Sequence, residues 1–128
     1  MIKTTLLALL NARPVLALIA APTNKMRAKA IYHFSKRMDA INIEYREYEK
    51  LHRDLVSKYG TEYKEVVDGK EISGLKVLPE NMDCFDNEYS ELINTEVTLN
   101  TEPLSIEDLQ EITLNFDQIK LLGNLIKD

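Results

Sequence analysis

The longest regular pattern in the chain runs from Thr23 to Tyr59, with no Gly or Pro between Pro22 and Gly60. Within it, Ile31, Phe34, Met38, Ile41, Tyr45, Tyr48, His52, Leu55 and Tyr59 follow one another at steps of three and four. All but His52 are plainly apolar. Such alternation keeps one stripe of a helix turned toward a partner helix. Thr23 or Asn24 can cap the start, and Gly60 stands where a helix end favours a left-handed residue. The pattern predicts one rod of roughly 54 Å.

Met1–Ala21 is the most apolar segment, with Leu6, Leu9, Val15, Leu16 and Ile19 among its residues. The segment faintly resembles a secretory signal, but Asn11, Arg13 and Pro14 break the run, leaving pieces too short to span a bilayer. The expected element is a buried helix from about Thr5, kinked or restarted at Pro14. A tight turn over Ala21-Pro22-Thr23-Asn24 folds it back on the rod as an antiparallel hairpin with unequal arms. The shorter arm leaves the far end of the rod, Tyr45 to Tyr59, in need of another partner.

Beyond Gly60 the period changes. Glu62 to Val67 reads as a strand, Asp68-Gly69 as a tight turn, and Glu71-Ile72 with Leu75–Leu78 as the return strand. Ser73-Gly74 suggests a bulge or second turn. Pro79 suits the first turn of a helix that carries Met82, Phe85, Tyr89, Leu92 and Ile93. Glu96–Thr101 alternates like a strand. Ser105 with Asp108 opens a short helix holding Ile106, Leu109 and Ile112. Asn115 with Gln118 opens a last helix carrying Phe116, Ile119, Leu122, Leu125 and Ile126. The predicted class is α+β, mainly helical: an antiparallel helical hairpin with one very long helix, a small β-hairpin or sheet, and short C-terminal helices. One domain covers 1–128, divided into the helical hairpin over 1–60 and a small β-containing acidic cap over 61–128.

Composition supports long regular elements, since 128 residues contain only four Gly and four Pro. The single cysteine, Cys84, cannot form an internal disulfide and fits a reducing compartment. The net charge of −5 hides a split. Residues 1–60 hold 11 basic against 5 acidic side chains, and residues 61–128 hold 5 against 16. Asymmetry of this size bears either on partners or on how the halves pack.

Three clusters are candidates for function. Lys25, Arg27, Lys29, Lys36 and Arg37 form a basic patch for phosphate or an acidic partner. The competing reading is a solvated face, or docking of the chain's own acidic half. Tyr45, Tyr48, Tyr59 and Tyr63, with His52 on the seam, form an aromatic surface of the kind buried on protein binding. Ordinary packing against the C-terminal helices explains it as well. Asp83, Cys84, Asp86 and Glu88 do not share a helical face, so they read as an acidic surface with Cys84 tucked in as a small hydrophobe. No phosphate loop or nucleophile elbow is present, so neither catalytic residues nor a cofactor or metal is expected.

The runs Thr23-Asn24-Lys25-Met26 and Ala30 through Lys36, then Glu44, Tyr48, Leu55 and Lys58-Tyr59-Gly60, are similar to an uncharacterised small-protein family of tailed phages and prophages. That family is known only as a domain of unknown function. Asp68-Gly69, Glu88 to Leu92 and Glu96-Val97-Thr98-Leu99 continue the resemblance. Asn24 and Phe34 depart from the family's usual Pro and Leu. The resemblance implies a phage origin and transfers no catalytic residue.

Together these readings lead to a non-catalytic, phage-encoded protein-interaction module, a virion structural or assembly component that binds another phage protein. The alternative is an early regulator or inhibitor of a host nucleic-acid enzyme, acting through the acidic half. The expected partner is a phage structural or host protein, with a homodimer through the long-helix seam as a further option. Neither nucleic acid nor a membrane is expected as a partner. The expected location is the host cytoplasm, or the virion.

Overall fold

The structure, a computed structural model, describes residues 1–21 and 25–127. It is α+β and mainly helical. The elements run β1 (Ile2–Thr5), α1 (Leu6–Ile19), α2 (Ala28–Tyr59), β2 (Gly60–Val67), β3 (Lys70–Val77), α3 (Pro79–Ile93), β4 (Glu96–Leu99), β5 (Leu104–Ser105), α4 (Phe116–Leu122) and β6 (Ile126–Lys127). The Pro22-Thr23-Asn24 turn and both helix caps expected there lie outside the described residues. The described elements form two compact units, Met1–Tyr45 with Asn94–Asp128, and Arg46–Ile93. Their limits differ from the expected division at residue 60, because β1, α1 and the start of α2 group with the C-terminal segment.

In the first unit, β1 pairs antiparallel with β4, Ile2 opposite Leu99 and Thr4 opposite Val97. Ile2, Val97 and Leu99 face inward and are buried, as period-two alternation requires. The sequence pattern does not announce β1, which is four residues long and finds its partner more than ninety positions away. Thr5 then caps α1, its hydroxyl accepting from the Ala8 amide at 3.2 Å. Leu6, Leu9, Ala12, Val15, Leu16 and Ile19 are the buried face of α1. Pro14 lies within this single helix and does not end it. Among the helices, α1 packs chiefly against α4. Asn115 and Gln118 form the expected capping box, with reciprocal bonds of 2.8 and 2.9 Å. The last helix is shorter than expected. Gly123 ends it, Leu125 falls in a 3₁₀ turn, and Ile126 pairs in a short parallel ladder opposite Leu104. Ser105 caps a four-residue 3₁₀ turn rather than an α-helix, and its hydroxyl accepts from Glu107, not Asp108.

α2 begins at Ala28, later than the pattern suggested, and extends for 32 residues. Its buried positions are Ala30, Phe34, Ile41 and Tyr45. Ile31, expected in the stripe, is half exposed because the smaller Ala30 takes the inward position. It instead borders an apolar groove of about 500 Å³ with Ile19, Phe34 and Met38.

The second unit holds the end of α2, the hairpin β2–β3 and α3. Gly60 is not left-handed and is the first residue of β2. Glycine is needed there for space, since a Cβ would run into the Val56 carbonyl oxygen. Asp68 and Gly69 both have positive φ, 54° and 76°, the signature of a type I′ turn. β2 and β3 pair residue for residue, from Gly60 opposite Val77 to Val67 opposite Lys70. The bulge expected at Ser73-Gly74 is absent. Gly74 sits opposite Tyr63, and a Cβ on it would stand 3.2 Å from the Tyr63 ring. Pro79 opens α3, as its missing amide hydrogen allows.

Candidate interaction site

The aromatic surface is assembled in the second unit from two helical stripes. Tyr48, His52 and Tyr59 on α2 repeat at four and seven residues, and Phe85 and Tyr89 on α3 repeat at four, so each set lies on one helix face. The Tyr48 and Tyr89 hydroxyls are 2.9 Å apart and share a hydrogen bond. His52 stacks on Tyr48, with centroids 5.7 Å apart, and meets Tyr89 and Phe85 edge-on. Phe85 and Tyr89 are nearly parallel at 6.0 Å, and Tyr59 meets Phe85 edge-to-face. All five side chains are half-buried. Edge-to-face and offset contacts of this kind hold ring geometry without full burial.

An ion pair borders the cluster. The Lys58 ammonium donates to both Glu88 carboxylate oxygens at 3.0 and 3.1 Å. It also lies 5.1 Å from the centre of the Tyr59 ring. Hydrogen bonds from the Tyr59 hydroxyl and then from Lys58 hold Glu88 below the ordinary carboxylate range. The same carboxylate raises the Tyr59 phenol and the Lys58 ammonium. The Asn81 amide donates to the Tyr59 carbonyl at 3.4 Å, joining the start of α3 to the end of α2.

Not every aromatic singled out in the sequence joins this surface. Tyr45 is a core residue of the first unit, only 4% exposed, and is no part of a docking face. Its hydroxyl donates to the Leu9 carbonyl at 2.6 Å, and the Arg13 guanidinium lies 4.7 Å over its ring. Burial pushes its phenol up to about 12, against a smaller lowering by Arg13. Tyr63 is half-buried on the hairpin, against Gly74. Conversely, Phe85 and Tyr89 read in the sequence only as an apolar helix stripe, and their four-residue spacing was the available signal.

The basic patch lies in the first unit and is partly engaged by the chain's own acids. Lys25 and Arg27 precede α2, while Lys29, Lys36 and Arg37 stand on it. Arg27 pairs with Glu111 at 3.5 Å, and Arg37 donates to the Glu102 carbonyl at 3.0 Å. His33, between them, lies 3.1 Å from the Asp108 carboxylate. Lys36 lies 5.5 Å over the Tyr32 ring. Arg27, Lys29 and Arg37 line a cleft of about 530 Å³ together with Glu102, Asp108 and Glu111. A lining that carries both signs does not single out an anion.

Cys84 is exposed, contrary to the small buried hydrophobe expected on α3. α3 has no buried residue, so it offers no interior position for the thiol. Among the described residues, no three His, Cys, Asp or Glu side chains are grouped to hold a metal ion. No described helix is long and apolar enough to cross a membrane. No protein-family model matches the chain, and neither a curated protein nor a solved structure resembles it.

Proposed function

We propose that this chain is a non-catalytic protein-interaction module whose binding surface lies in Arg46–Ile93. One observation carries the reading: none of residues 46–93 is buried, although the segment holds five clustered aromatic rings and a hairpin rich in apolar side chains. Val66, Val67, Ile72 and Leu75 are between 42% and 75% exposed. Apolar side chains gathered without a core of their own favour covering by a partner, and half-covered aromatics are the usual anchors. The Tyr48–His52–Phe85–Tyr89 surface is where that partner docks.

We place the protein among the products of tailed phages or prophages, on its resemblance to their small-protein family, as a virion structural or assembly component working in the host cytoplasm or the virion. The alternative, an early inhibitor that uses its acidic half to imitate nucleic acid, has less support. Asp108 and Glu111 already engage His33 and Arg27, and Glu88 engages Lys58. Affinity capture from phage-infected cells, with a Tyr48→Ala/Phe85→Ala variant as control, tests the reading. A phage structural protein recovered with the parent chain and lost with the variant is the expected result. Equal recovery with both chains, or capture of a host nucleic-acid enzyme instead, overturns it.

A further inference from the structure

The hairpin β2–β3 stands as a two-stranded sheet, and among the described residues the outer edge of β2 pairs with no strand. A type I′ turn closes on a hydrogen-bonded pair, here Val67 with Lys70. Counting back in twos, Glu65, Tyr63 and Thr61 direct their backbone groups toward β3, while Val66, Lys64, Glu62 and Gly60 direct theirs outward. An outward row of amides and carbonyls is a template for another strand. The question is which strand its side chains accept.

We infer that β2 accepts the β2 of a second copy, antiparallel, with Tyr63 opposite Tyr63 across a two-fold axis. A closed two-fold pairing of one strand with itself must place some residue opposite its own copy, so few registers exist. Centring on Glu62, Lys64 or Glu65 sets like charges face to face, which disfavours each. Centring on Gly60, Thr61, Val66 or Val67 leaves only an end of the strand overlapping. Centring on Tyr63 sets Glu62 opposite Lys64 of the other copy, and Lys64 opposite its Glu62. Gly60 then faces Val66, and the two tyrosines stand opposite each other at the centre. This register also joins the outward backbone groups: each Glu62–Lys64 pair becomes a hydrogen-bonded pair of the ladder, and Tyr63 takes the intervening position where side chains come closest. The β3 edge offers no equivalent, because centring there on Ser73 opposes Lys70 to Lys76 and the neighbouring centres oppose no unlike charges. The charges and length of β2 therefore select one register and one occupant, and the product is a four-stranded sheet with the order β3, β2, β2, β3. This surface is distinct from the aromatic cluster proposed to bind a phage protein, so either can fail without the other.

Glu62 stands opposite Leu75 within its own hairpin, so reversing its charge breaks no cross-strand ion pair there. Lys64 lies 3.8 Å from Glu71, and both are exposed. The test is sedimentation equilibrium on the full chain and on three variants: Glu62→Lys, Lys64→Glu and the double exchange. Far-UV circular dichroism confirms that each is folded. The parent chain is expected to dimerise at micromolar concentrations. Glu62→Lys, which creates two like-charge pairs, should weaken the dimer about tenfold or more. The double exchange restores opposite charges across the axis and should recover at least part of that loss. A parent chain that stays monomeric at high concentration overturns the inference. So does a dimer indifferent to Glu62→Lys, which would mean that another face forms it. Single-variant losses without recovery in the double exchange also overturn it, since they would mean that residues 62 and 64 do not face each other.

Discussion

The two units of this chain are built from similar residues to different ends. Met1–Tyr45 with Asn94–Asp128 contains every buried side chain of the described protein, from Ile2 and Leu9 to Leu122 and Leu125. Arg46–Ile93 contains none, although nearly all of its residues lie in helices and strands. In the first unit a tyrosine is taken inside and its hydroxyl is satisfied by a backbone carbonyl. In the second, tyrosines lean on one another and keep an edge in solvent. Aromatic spacing along a helix therefore does not distinguish a core from a docking surface. The number of elements that close over the spacing does.

That contrast can be broken most directly by truncating one apolar residue in each unit. Leu16→Ala should cost about 2–5 kcal/mol in urea unfolding, because Leu16 is 1% exposed and its removal leaves a cavity. Leu51→Ala, at a position 42% exposed, should cost under about 1 kcal/mol by the same measurement. Similar losses for the two would erase the distinction between the units.

Tyr45→Phe is next in size. It removes the buried hydrogen bond from the Tyr45 hydroxyl to the Leu9 carbonyl, at about 1–2 kcal/mol. The same residue sets an alkaline limit on the first unit. Its folded value of about 12 lies above the ordinary 10.0, so the neutral phenol's contribution is complete below the ordinary value. It is then lost as pH rises toward 12. Stability followed by fluorescence or circular dichroism should fall over that interval in the parent chain and fall less in Tyr45→Phe.

Phe85→Ala should cost about 1–2 kcal/mol, less than for a core phenylalanine, because the ring is only half-buried. Its sharper readout is hydrogen exchange: amides of α3 and of Arg46–Tyr59 should lose protection while those of α1 keep theirs. Uniform loss across both units would show that they open together. The smallest effect belongs to Glu88→Gln. The depressed carboxyl of Glu88 contributes above its unfolded value, and that contribution is lost as pH falls through the folded one. An NMR titration of the Lys58 and Tyr59 resonances should show an acidic inflection in the parent chain that is missing from the variant.

Much of the local structure was legible from residue pattern alone. The body of α2, the Asp68-Gly69 turn, the start of α3 at Pro79 and the Asn115–Gln118 box each rest on chemistry confined to a few neighbouring positions. What was not legible depends on distant pairing. The strand β1 exists because Ile2 and Thr4 meet Leu99 and Val97, and no window around Ile2 contains that information. The assignment of Tyr45 to the core depends on Leu9 and Arg13 arriving from α1. Ile31 fits the three–four stripe as well as Phe34 does, yet Ala30 takes the inward place. Of the aromatic surface, Tyr48, His52 and Tyr59 were visible as one face of α2. Their complement, Phe85 and Tyr89, was visible only as an unassigned stripe on another helix.

The pairing of β1 with β4 has a consequence for synthesis. The first unit is made from segments on both sides of residues 46–93, so α1 is translated well before either β4 or α4. Its face of Leu6, Leu9, Val15 and Leu16 waits for α4 while the intervening segment is made. A nascent chain stalled before residue 94 presents to any chaperone nearby the part of that face that α4 covers, and it stays open until α4 has been made.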